Sequence, residues 1–582
     1  MSMNLLILFL TILSLPLSHS AKPPQHDNIT QSLPGSHNHV RSSITPAASR
    51  ADDNQEAQLI AALDYGTFKG SYSKEFNITY YQKIPFAAPP TGQNRFRAPQ
   101  PPLNLAALHG AQYIYNASQP FDMCPQRTVN GSEDCLYLAL YSRPWFQHKK
   151  TSQSSQSLRP VVIVFYGGGF IRGSASFSTL PPSAYPALNV SSENDLVFIY
   201  PNYRTNAFGF LAGKQIMDDY PFSDTNVGLL DQRAAIRWAK KYVAQFGGDP
   251  DDISIWGQSA GGGSVLAQVI GDHEFDQPVD SVQGGKEKGK GGLFKALTSS
   301  PYWPKTYSAT SPEAQWIYDT LVNRTVCGAP TEQPANAVFD NNTLSCLKSL
   351  PVQSILTAAE YIASSHTYTT SSYTFAPVID GRFLPRTLTQ AISSSLFNSE
   401  TILATYNTHE GENFLPPLLL HDDDQQDPPE GSVAFTTWLT GFLPNLMTQD
   451  LKAVKMMYPE TTTETMVKNS SSVPTVRAGL IYRDVVLACP AYWLTGAAAA
   501  SSSSSSDGVY KGFVGAFASF FATGDPNKRK LTSPETPGIP KLNDDEKDEE
   551  FVIQSDGFTT AKITSLKKRC DFWTRLAPRI PI

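Results

Sequence analysis

The chain has 582 residues, of which 41% are hydrophobic and 17% are charged, and its formal net charge is -6. This composition is typical of a globular protein with a large core and excludes disorder over most of the chain. It also argues against nucleic acid as a partner, because phosphate binding needs clustered Lys and Arg, and the sequence contains no basic stripe.

The N-terminal region predicts an export signal followed by an unstructured leader. An apolar stretch covers residues 5–17, and small residues follow it before Ala21, which predicts a signal peptide over residues 1–20. The alternative, a membrane anchor, needs ~20 apolar residues to span a bilayer, and no run in the chain is that long. Residues 21–57 have few large apolar side chains and are predicted to be a disordered leader.

Sequons and cysteines also favour a secreted, extracellular protein. Asn-X-Ser/Thr sequons, the acceptors of N-glycosylation, begin at Asn28, Asn77, Asn116, Asn130, Asn189, Asn323, Asn341 and Asn469. Six cysteines suit an oxidising compartment but allow 15 pairings. The simplest pairing is sequential, Cys124 with Cys135, Cys327 with Cys346, and Cys489 with Cys570. The alternative is that some of these cysteines are free and buried.

Short apolar runs alternate with helical patterns from about residue 58 onward. The runs cover residues 161–166, 196–200, 253–256 and 401–406. Continuous apolar strands belong to a sheet that is covered on both faces, and an alternation of strand and helix implies mostly parallel strands. We expect a single α/β domain over residues 58–576, with a large, mostly parallel central sheet flanked by helices.

The clearest helical pattern lies within residues 226–248. Its predicted apolar face consists of Leu230, Ala234, Ala235, Trp238, Tyr242 and Val243. Gly247 and Gly248 are predicted to end this helix.

Three charged segments and one low-complexity segment interrupt these patterns. Residues 284–292, 421–430 and 543–550 predict long, solvated loop insertions, to which we assign no function. A tract of Ala and Ser occupies residues 496–508.

A G-x-S-x-G sequence marks a candidate nucleophile at Ser259. Gly257 and Gly261 allow a sharp turn between a predicted strand and a predicted helix, so that the serine hydroxyl is exposed at the end of the strand. The helix that follows directs its N-terminal amides and the positive end of its dipole toward this position. The alternative interpretation is a structural serine in a tight turn.

A glycine run at residues 166–170 supplies candidate oxyanion donors. It follows another predicted strand, and its amides are not shielded by side chains. The N–H groups of Gly168, Gly169 and Ala260 are predicted to surround a developing oxyanion. The alternative is a flexible turn.

Further motifs occur in order along the chain. They are IPFAAPPTGQNRFRAPQPP at 84–102, SEDCLYL at 132–138, NYRTNAFGFL at 202–211, HEG at 409–411, TGDPN at 523–527 and RCDFW at 569–573. Together with the two glycine motifs, they make the chain resemble the type-B carboxylesterase and lipase family, which includes cholinesterases and fungal secreted lipases. The resemblance covers about residues 58–576 and implies the α/β-hydrolase fold.

The resemblance also implies roles for individual residues. It implies the sequential disulfides, a salt bridge between Arg95 and Glu133, Ser259 as the nucleophile and Glu410 as the acid of a catalytic triad. The implied substrate is a small-molecule or lipid ester of a carboxylic acid. No cofactor or metal is implied.

The base of the triad has no counterpart in this sequence. In this fold the chain order is Ser, acid, His, and in the family the histidine lies between the counterparts of Cys489 and Cys570. No histidine follows His421. His409 adjoins Glu410 and is expected to point away from it, and His421 is expected to be solvated in an acidic insertion.

His273 is the remaining candidate near the nucleophile in the sequence. It lies 14 positions after Ser259, which would place it roughly 20 Å away along a continuous helix.

Two hypotheses follow. The first is a secreted serine hydrolase that cleaves carboxylic esters through an acyl-enzyme, in which another histidine serves as base or a histidine-bearing segment is missing near residues 496–508 through a misplaced splice boundary. The second is a hydrolase-fold protein without catalysis that binds a ligand or partner. The retained nucleophile favours the first, and the absent base favours the second.

Overall fold

The protein is represented by a computed structural model. It describes residues 59–126, 131–145, 157–175, 195–271, 294–328, 343–370, 374–394, 399–416, 418–422, 432–460, 473–497, 509–528, 538–540, 549–554 and 557–582. These residues belong to one compact unit, Asn54–Ile582. The predicted signal peptide, the leader and most of the Ala/Ser tract lie outside the described residues.

The strands carry most of the apolar runs that the sequence analysis identified. They are β1 (Ile60–Leu63), β2 (Gly66–Lys69), β3 (Ser71–Ser73), β4 (Ile78–Pro85), β5 (Ile114–Asn116), β6 (Tyr137–Ser142), β7 (Arg159–Phe165), β8 (Val197–Pro201), β9 (Gly248–Gln258), β10 (Phe294–Ser299), β11 (Ser399–Thr405), β12 (Leu418–Leu420), β13 (Ser432–Ala434), β14 (Glu549–Gln554) and β15 (Gly557–Lys562). Strand β8 is buried along its whole length, as expected of a central strand covered on both faces.

Helices connect and flank these strands. They are α1 (Leu105–His109), α2 (Asn206–Phe210), α3 (Lys214–Asp218), α4 (Val227–Tyr242), α5 (Ala260–Ile270), α6 (Pro312–Asn323), α7 (Thr343–Ser349), α8 (Val352–Thr370), α9 (Leu388–Ser393), α10 (Phe435–Phe442), α11 (Thr448–Met457), α12 (Val473–Arg483), α13 (Cys489–Ala497), α14 (Val509–Thr523) and α15 (Thr564–Leu576). A short π-helical segment, Asp484–Ala488, joins α12 to α13.

An eight-stranded sheet forms the centre of the unit, in the order β11-β10-β9-β7-β8-β6-β4-β3. Strands β11, β10, β9, β7 and β8 are parallel to one another, and β6, β4 and β3 continue the sheet with antiparallel pairings from β8 onward. The register pairs Phe165 with Gly257, and Ser299 with both Gln258 and Thr405. The carboxyl ends of four neighbouring strands, β7, β9, β10 and β11, therefore meet at one edge.

Helix α4 begins where its sequence pattern indicates, but it ends at Tyr242, and a 3₁₀ turn over Val243–Phe246 leads to Gly247. The helix is also buried on more than the predicted face. Ala234 and Tyr242 are only half-buried. Three consecutive polar residues, Asp231, Gln232 and Arg233, are buried instead. The reason is that α4 packs against α5, so this second face needs polar partners rather than water.

The polar side chains on the second buried face of α4 form hydrogen bonds with side chains of α5. Gln232 Nε2 donates to Ser264 Oγ at 2.9 Å, and Arg233 Nε donates to Gln268 Oε1 at 2.7 Å. These hydrogen bonds fix α4 against α5, the helix that follows Ser259.

Three disulfides join Cys124 to Cys135, Cys327 to Cys346, and Cys489 to Cys570. These are the sequential pairs, and none of the described cysteines is free. The implied pair of Arg95 and Glu133 is also present. Arg95 Nε and Nη2 donate to the two carboxylate oxygens of Glu133, each at 2.7 Å, and Arg95 Nη1 donates to two carbonyls near helix α7.

A buried ion pair gives the first testable prediction. Asp231 is fully buried, and Arg204 Nε and Nη2 donate to its carboxylate at 2.9 and 2.7 Å. Replacing Asp231→Ala leaves a buried guanidinium without its counter-charge, so we expect the free energy of unfolding to fall by about 3–5 kcal/mol. Urea unfolding with the disulfides intact measures this change.

The matched control is an exposed ion pair on the same helix. Lys241 and Asp64 are 62% and 58% exposed, so Asp64→Ala should cost about 0–1 kcal/mol. A loss for Asp231→Ala no larger than that for Asp64→Ala would contradict the prediction.

Candidate active site

The residues predicted to carry chemistry lie at the edge where β7, β9, β10 and β11 end. Ser259 follows β9 directly, and Gly167 to Gly169 follow β7. Ser300 follows β10 directly, and Glu410 lies on the loop after β11. The fold thus brings the predicted nucleophile, oxyanion donors and acid to the ends of adjacent parallel strands.

Ser259 is held in a strained elbow between β9 and α5. Its φ and ψ are 58° and -125°, a region that residues with a Cβ seldom adopt. Its N–H donates to the Ser299 carbonyl at 3.0 Å, and its carbonyl accepts from the N–H groups of Gly263 and Tyr302, each at 2.9 Å. Hydrogen bonds on both sides of the residue hold this conformation, and the side chain remains half-buried rather than enclosed.

Glycines are required at this elbow because backbones approach closely. A Cβ at Gly257 would lie 2.1 Å from the Gly261 carbonyl oxygen, and a Cβ at Gly261 would lie 2.1 Å from the Phe165 carbonyl oxygen. Both distances are far below van der Waals contact. The G-x-S-x-G spacing therefore lets α5 start against the ends of β7 and β9.

The glycine run after β7 lies beside the serine. A Cβ at Gly167 would lie 3.1 Å from Ser259 Cβ, and Gly168 and Gly169 have φ values of 119° and 64°. Within the described part of the chain, the N–H groups of Gly168, Gly169 and Ala260 donate no hydrogen bond. Unpaired amides at this place are suited to an anionic oxygen.

Glu410 is buried, with an exposed fraction of 7%. Its Oε2 accepts a hydrogen bond from Asn407 Nδ2 at 2.9 Å. Its Oε1 is buried and has no hydrogen-bond partner among the described residues. Burial raises the pKa of Glu410, and the nearby Ser300 hydroxyl and the Asn407 amide act in the opposite direction.

Three contacts fix the loop that carries Glu410. Asn407 Nδ2 also donates to Ser300 Oγ at 3.1 Å, which ties the loop to the end of β10. Arg483 Nη1 donates to the Thr408 carbonyl at 3.0 Å. A Cβ at Gly411 would lie 1.9 Å from the carbonyl oxygen of Gly479 in α12, so the loop lies directly on that helix.

Arg483 is itself held in a buried ionic cluster. Its Nε and Nη2 donate to Asp484 Oδ1 at 3.0 and 2.7 Å. Asp484 Oδ2 accepts from Arg569 Nε at 2.5 Å and from the Tyr458 hydroxyl at 2.9 Å. Sequence reasoning missed Asn407, Arg483 and this cluster, because no local pattern marks a contact between residues so far apart in the chain.

The described histidines of interest do not contact Glu410. His409 is 39% exposed, and its Nδ1 lies 3.9 Å from Glu412 Oε1. His421 is half-buried rather than fully solvated and follows β12. Helix α5 ends at Ile270, and His273 lies outside the described residues.

Comparison with known proteins places this site in a family. A model of the carboxylesterase family matches residues 57–511. The chain belongs to the carboxylesterase family. Over 63% of its length, it is 28% identical to a secreted triacylglycerol lipase of Gibberella zeae, and over 53% it is 30% identical to secreted lipase 1 of Botryotinia fuckeliana. It is also 27% identical over 62% of its length to the para-nitrobenzyl esterase of Bacillus subtilis.

These matches span 60%, 52% and 64% of the three relatives' own lengths, so the chain aligns with about half to two thirds of each. The crystal structure of Aspergillus niger EstA superposes with a TM-score of 0.67 at 23% identity, covering 90% of this chain and 99% of that chain. The fold is therefore the α/β-hydrolase fold.

Membrane spans and metal sites are the other features to consider in this family member. Among the described residues, no helix is long and apolar enough to cross a membrane. In the same part of the chain, no group of three or more His, Cys, Asp or Glu residues is arranged to hold a metal ion.

The buried carboxyl of Glu410 predicts a pH-dependent gain of stability on its removal. Its folded-state pKa is raised above the usual 4.5, so the folded state loses stability as the pH rises from about 4.5 through that raised value, and the loss is complete above it. Glu410→Gln should therefore raise Tm at pH 7, and this gain should shrink as the pH falls through the raised value and vanish below about 4.5, where the carboxyl is neutral in both states.

Thermal unfolding between pH 4 and pH 8 measures this dependence. Glu412→Gln, two positions along the same loop, controls for the loss of a negative charge near the site. A gain in Tm for Glu410→Gln that is equal at all pH values, or equal to that of Glu412→Gln, would contradict the prediction.

Proposed function

We propose that the protein is a secreted serine hydrolase that cleaves carboxylic esters through an acyl-enzyme on Ser259. The observation that supports this most strongly is the strained elbow at Ser259, which lies beside three unpaired amides at the shared edge of β7 and β9. The named activities of the relatives, lipases and an esterase, favour an ester of a small molecule or lipid as substrate.

Each residue is proposed to act at one step. Ser259 Oγ attacks the ester carbonyl carbon, and the amides of Gly168, Gly169 and Ala260 donate to the carbonyl oxygen as it becomes negative. Losing one such donor typically costs roughly 10²–10³ in rate. Collapse of the tetrahedral intermediate releases the alcohol, and water then cleaves the acyl-serine to release the acid.

The base that activates Ser259 is the open part of this proposal. A serine hydroxyl is a weak nucleophile until a base takes its proton, and Glu410 is proposed to orient that base. In a Ser-His-Asp protease, removing the histidine lowers kcat by about 10⁶, and the oxyanion hole and binding still give roughly 10³–10⁴ over water. The supply of a base therefore decides whether turnover is enzyme-like.

Secretion is part of the proposal. Residues 1–20 have the pattern of a signal peptide, two of the relatives are named secreted lipases, and the three disulfides suit an oxidising compartment. Detection of the protein in culture medium, with cleavage before Ala21, tests this point.

The second candidate function is a hydrolase-fold protein that binds a ligand or partner without catalysis. The unpartnered Oε1 of Glu410 and the lack of any histidine after His421 favour it. A transcript read across residues 489–512 that encodes no further histidine would remove the hypothesis of a missing segment.

Hydrolysis of p-nitrophenyl butyrate separates the two functions. If a histidine of the chain serves as base, Ser259→Ala should abolish turnover, a fall of up to roughly 10⁶ in kcat, because serine and base act as a unit. His409→Ala and His421→Ala would then identify the base. Ser393→Ala, at an exposed serine in α9, is the matched control and should leave turnover unchanged.

Equal rates for the wild type and Ser259→Ala, in protein shown to be folded by circular dichroism, would mean that the chain supplies no working base. That result would favour the binding function for the chain acting alone.

A further inference from the structure

A small sheet, separate from the central one, has one face in contact with solvent. It consists of three strands in the order β1-β2-β5. Its register pairs Ile60 with Lys69, and Lys69 with Asn116. Residues that are paired across strands, or that lie two apart along one strand, point to the same side of a sheet. Ile60, Ile114 and Asn116 therefore share one face.

The two faces of this sheet differ in burial. On the inner face, Ala61 and Phe68 are 4% and 0% exposed and belong to the core. On the outer face, Ile60 and Ile114 are 41% and 48% exposed. Among the described strands, β5 pairs with β2 alone, so its other side is an open edge. Exposed apolar side chains beside an open edge favour association between copies of a chain.

Asn116 lies on this outer face and begins an Asn-Ala-Ser sequon. The residue is exposed. Its Oδ1 accepts hydrogen bonds from the N–H and the hydroxyl of Ser118, at 3.1 and 2.7 Å. Its Nδ2, the atom that carries sugar in a glycosylated asparagine, donates no hydrogen bond within the described part of the chain. The folded conformation therefore accommodates a glycan without the loss of a side-chain contact.

The apolar side chains lie within a short distance of that atom. Along β5, Ile114 is two residues before Asn116, a separation of about 7 Å. Across the sheet, Ile60 is two strands away, a separation of roughly 10 Å. Sugar rings carry C–H groups that pack against aliphatic side chains and hydroxyls that stay hydrated. A glycan at Asn116 would thus replace an apolar surface with a hydrophilic one.

We propose that Asn116 carries an N-linked glycan that covers the exposed isoleucines of the β1-β2-β5 sheet and blocks the open edge of β5. This proposal rests on the secretion of the protein, which is part of the proposed function, and does not depend on ester hydrolysis. The co-reactant is a lipid-diphosphate-linked oligosaccharide, the donor class of the eukaryotic secretory pathway.

The modification is a glycosyl transfer with atoms in balance. Asn116 Nδ2 bonds to the anomeric carbon of the donor's N-acetylglucosamine and loses one proton. The bond from that carbon to the diphosphate oxygen breaks, and the lipid diphosphate leaves with the electron pair. Oδ1 takes no part in the new bond and keeps its hydrogen bonds to Ser118.

Occupancy is tested first, on the full chain secreted by a eukaryotic host. Peptide-N-glycosidase removes N-linked glycans and converts each modified asparagine to aspartate, which peptide mass spectrometry detects. We expect this conversion at Asn116 in the wild type and in Ser118→Thr, which keeps the sequon. We expect its loss in Ser118→Ala, which removes the sequon by a change at the same position.

Association is tested next, by size-exclusion chromatography with light scattering. Ser118→Ala and Asn116→Gln should each shift the folded protein toward higher mass relative to the wild type, and Ser118→Thr should not. Thr79→Val removes the sequon of Asn77, which lies outside this sheet, and should cause no shift. Ile114→Thr combined with Ser118→Ala should reverse the shift, because it removes the apolar side chain nearest to the glycan.

The outcomes separate this proposal from the proposed function. Conversion at Asn77 or Asn323 without conversion at Asn116 overturns the glycan and leaves secretion in place. Retention in the cell with no conversion at any sequon counts against secretion and overturns the glycan with it.

The covering role has its own tests. An occupied Asn116 with no shift in Ser118→Ala, or with an equal shift in Thr79→Val, overturns it. A wild type that is dimeric and unmodified at Asn116 would instead assign the face to a second copy of the chain. Hydrolysis of p-nitrophenyl butyrate should be the same in Ser118→Ala and the wild type, so it reports on the hydrolase separately.

Discussion

The contact between the start of α5 and the end of β7 is the constraint on which the candidate site depends. Gly261 lies so close to the Phe165 carbonyl that no side chain fits between them. Beside this contact, Ser259 adopts a positive φ, and Gly167 lies against its side chain. A Cβ at Gly261 would push the start of α5 away from the end of β7. That shift would increase the distance between Ser259 and the glycine amides that follow β7.

The acid is positioned by a different part of the structure. The loop that carries Glu410 lies on α12, and Arg483 donates a hydrogen bond to it. The Asp484 carboxylate in turn accepts hydrogen bonds from both Arg483 and Arg569. Buried charges of this kind are stable only while each keeps its partner. The disulfide between Cys489 and Cys570 joins the segments that carry Asp484 and Arg569, so it supports the cluster from outside.

The proposed nucleophile, Ser259, and the proposed acid, Glu410, are therefore held by separate sets of contacts at one edge of the sheet. The first depends on backbone contacts among glycines, and the second depends on a buried ionic cluster and a disulfide. A change in either support would displace one group and leave the other in place. Among the described residues, Asn407 is the side chain that links the two by hydrogen bonds to Ser300 and Glu410.

The sequence predicted the parts of the site that have a local physical signature. Gly257 and Gly261 flank Ser259 because a sharp turn needs them, and the apolar runs of β7 to β11 follow from burial on both faces of a sheet. Glu410 could be found only through the family resemblance, since a Glu beside a Gly has no distinctive pattern. Asn407 and Arg483 could not be found, because their contacts depend on how distant segments pack.

The second face of α4 could not be predicted for the same reason. Its polar residues, Asp231 among them, appear solvated in a helical pattern, but they become buried once α5 packs against them. Periodicity identifies an apolar face, and it cannot identify a polar face whose partners come from another helix.

A stable fold does not require every polar atom of the candidate site to have a partner. Leaving one buried acceptor unpaired costs about 1–3 kcal/mol, whereas a stable protein has a free energy of unfolding of about 5–15 kcal/mol. Loss of a base would affect the reaction much more, because a factor of about 10⁶ in kcat corresponds to roughly 8 kcal/mol in the barrier. The glycine contacts and the ionic cluster therefore stabilise the candidate site, whereas the proposed catalysis depends on the supply of a base.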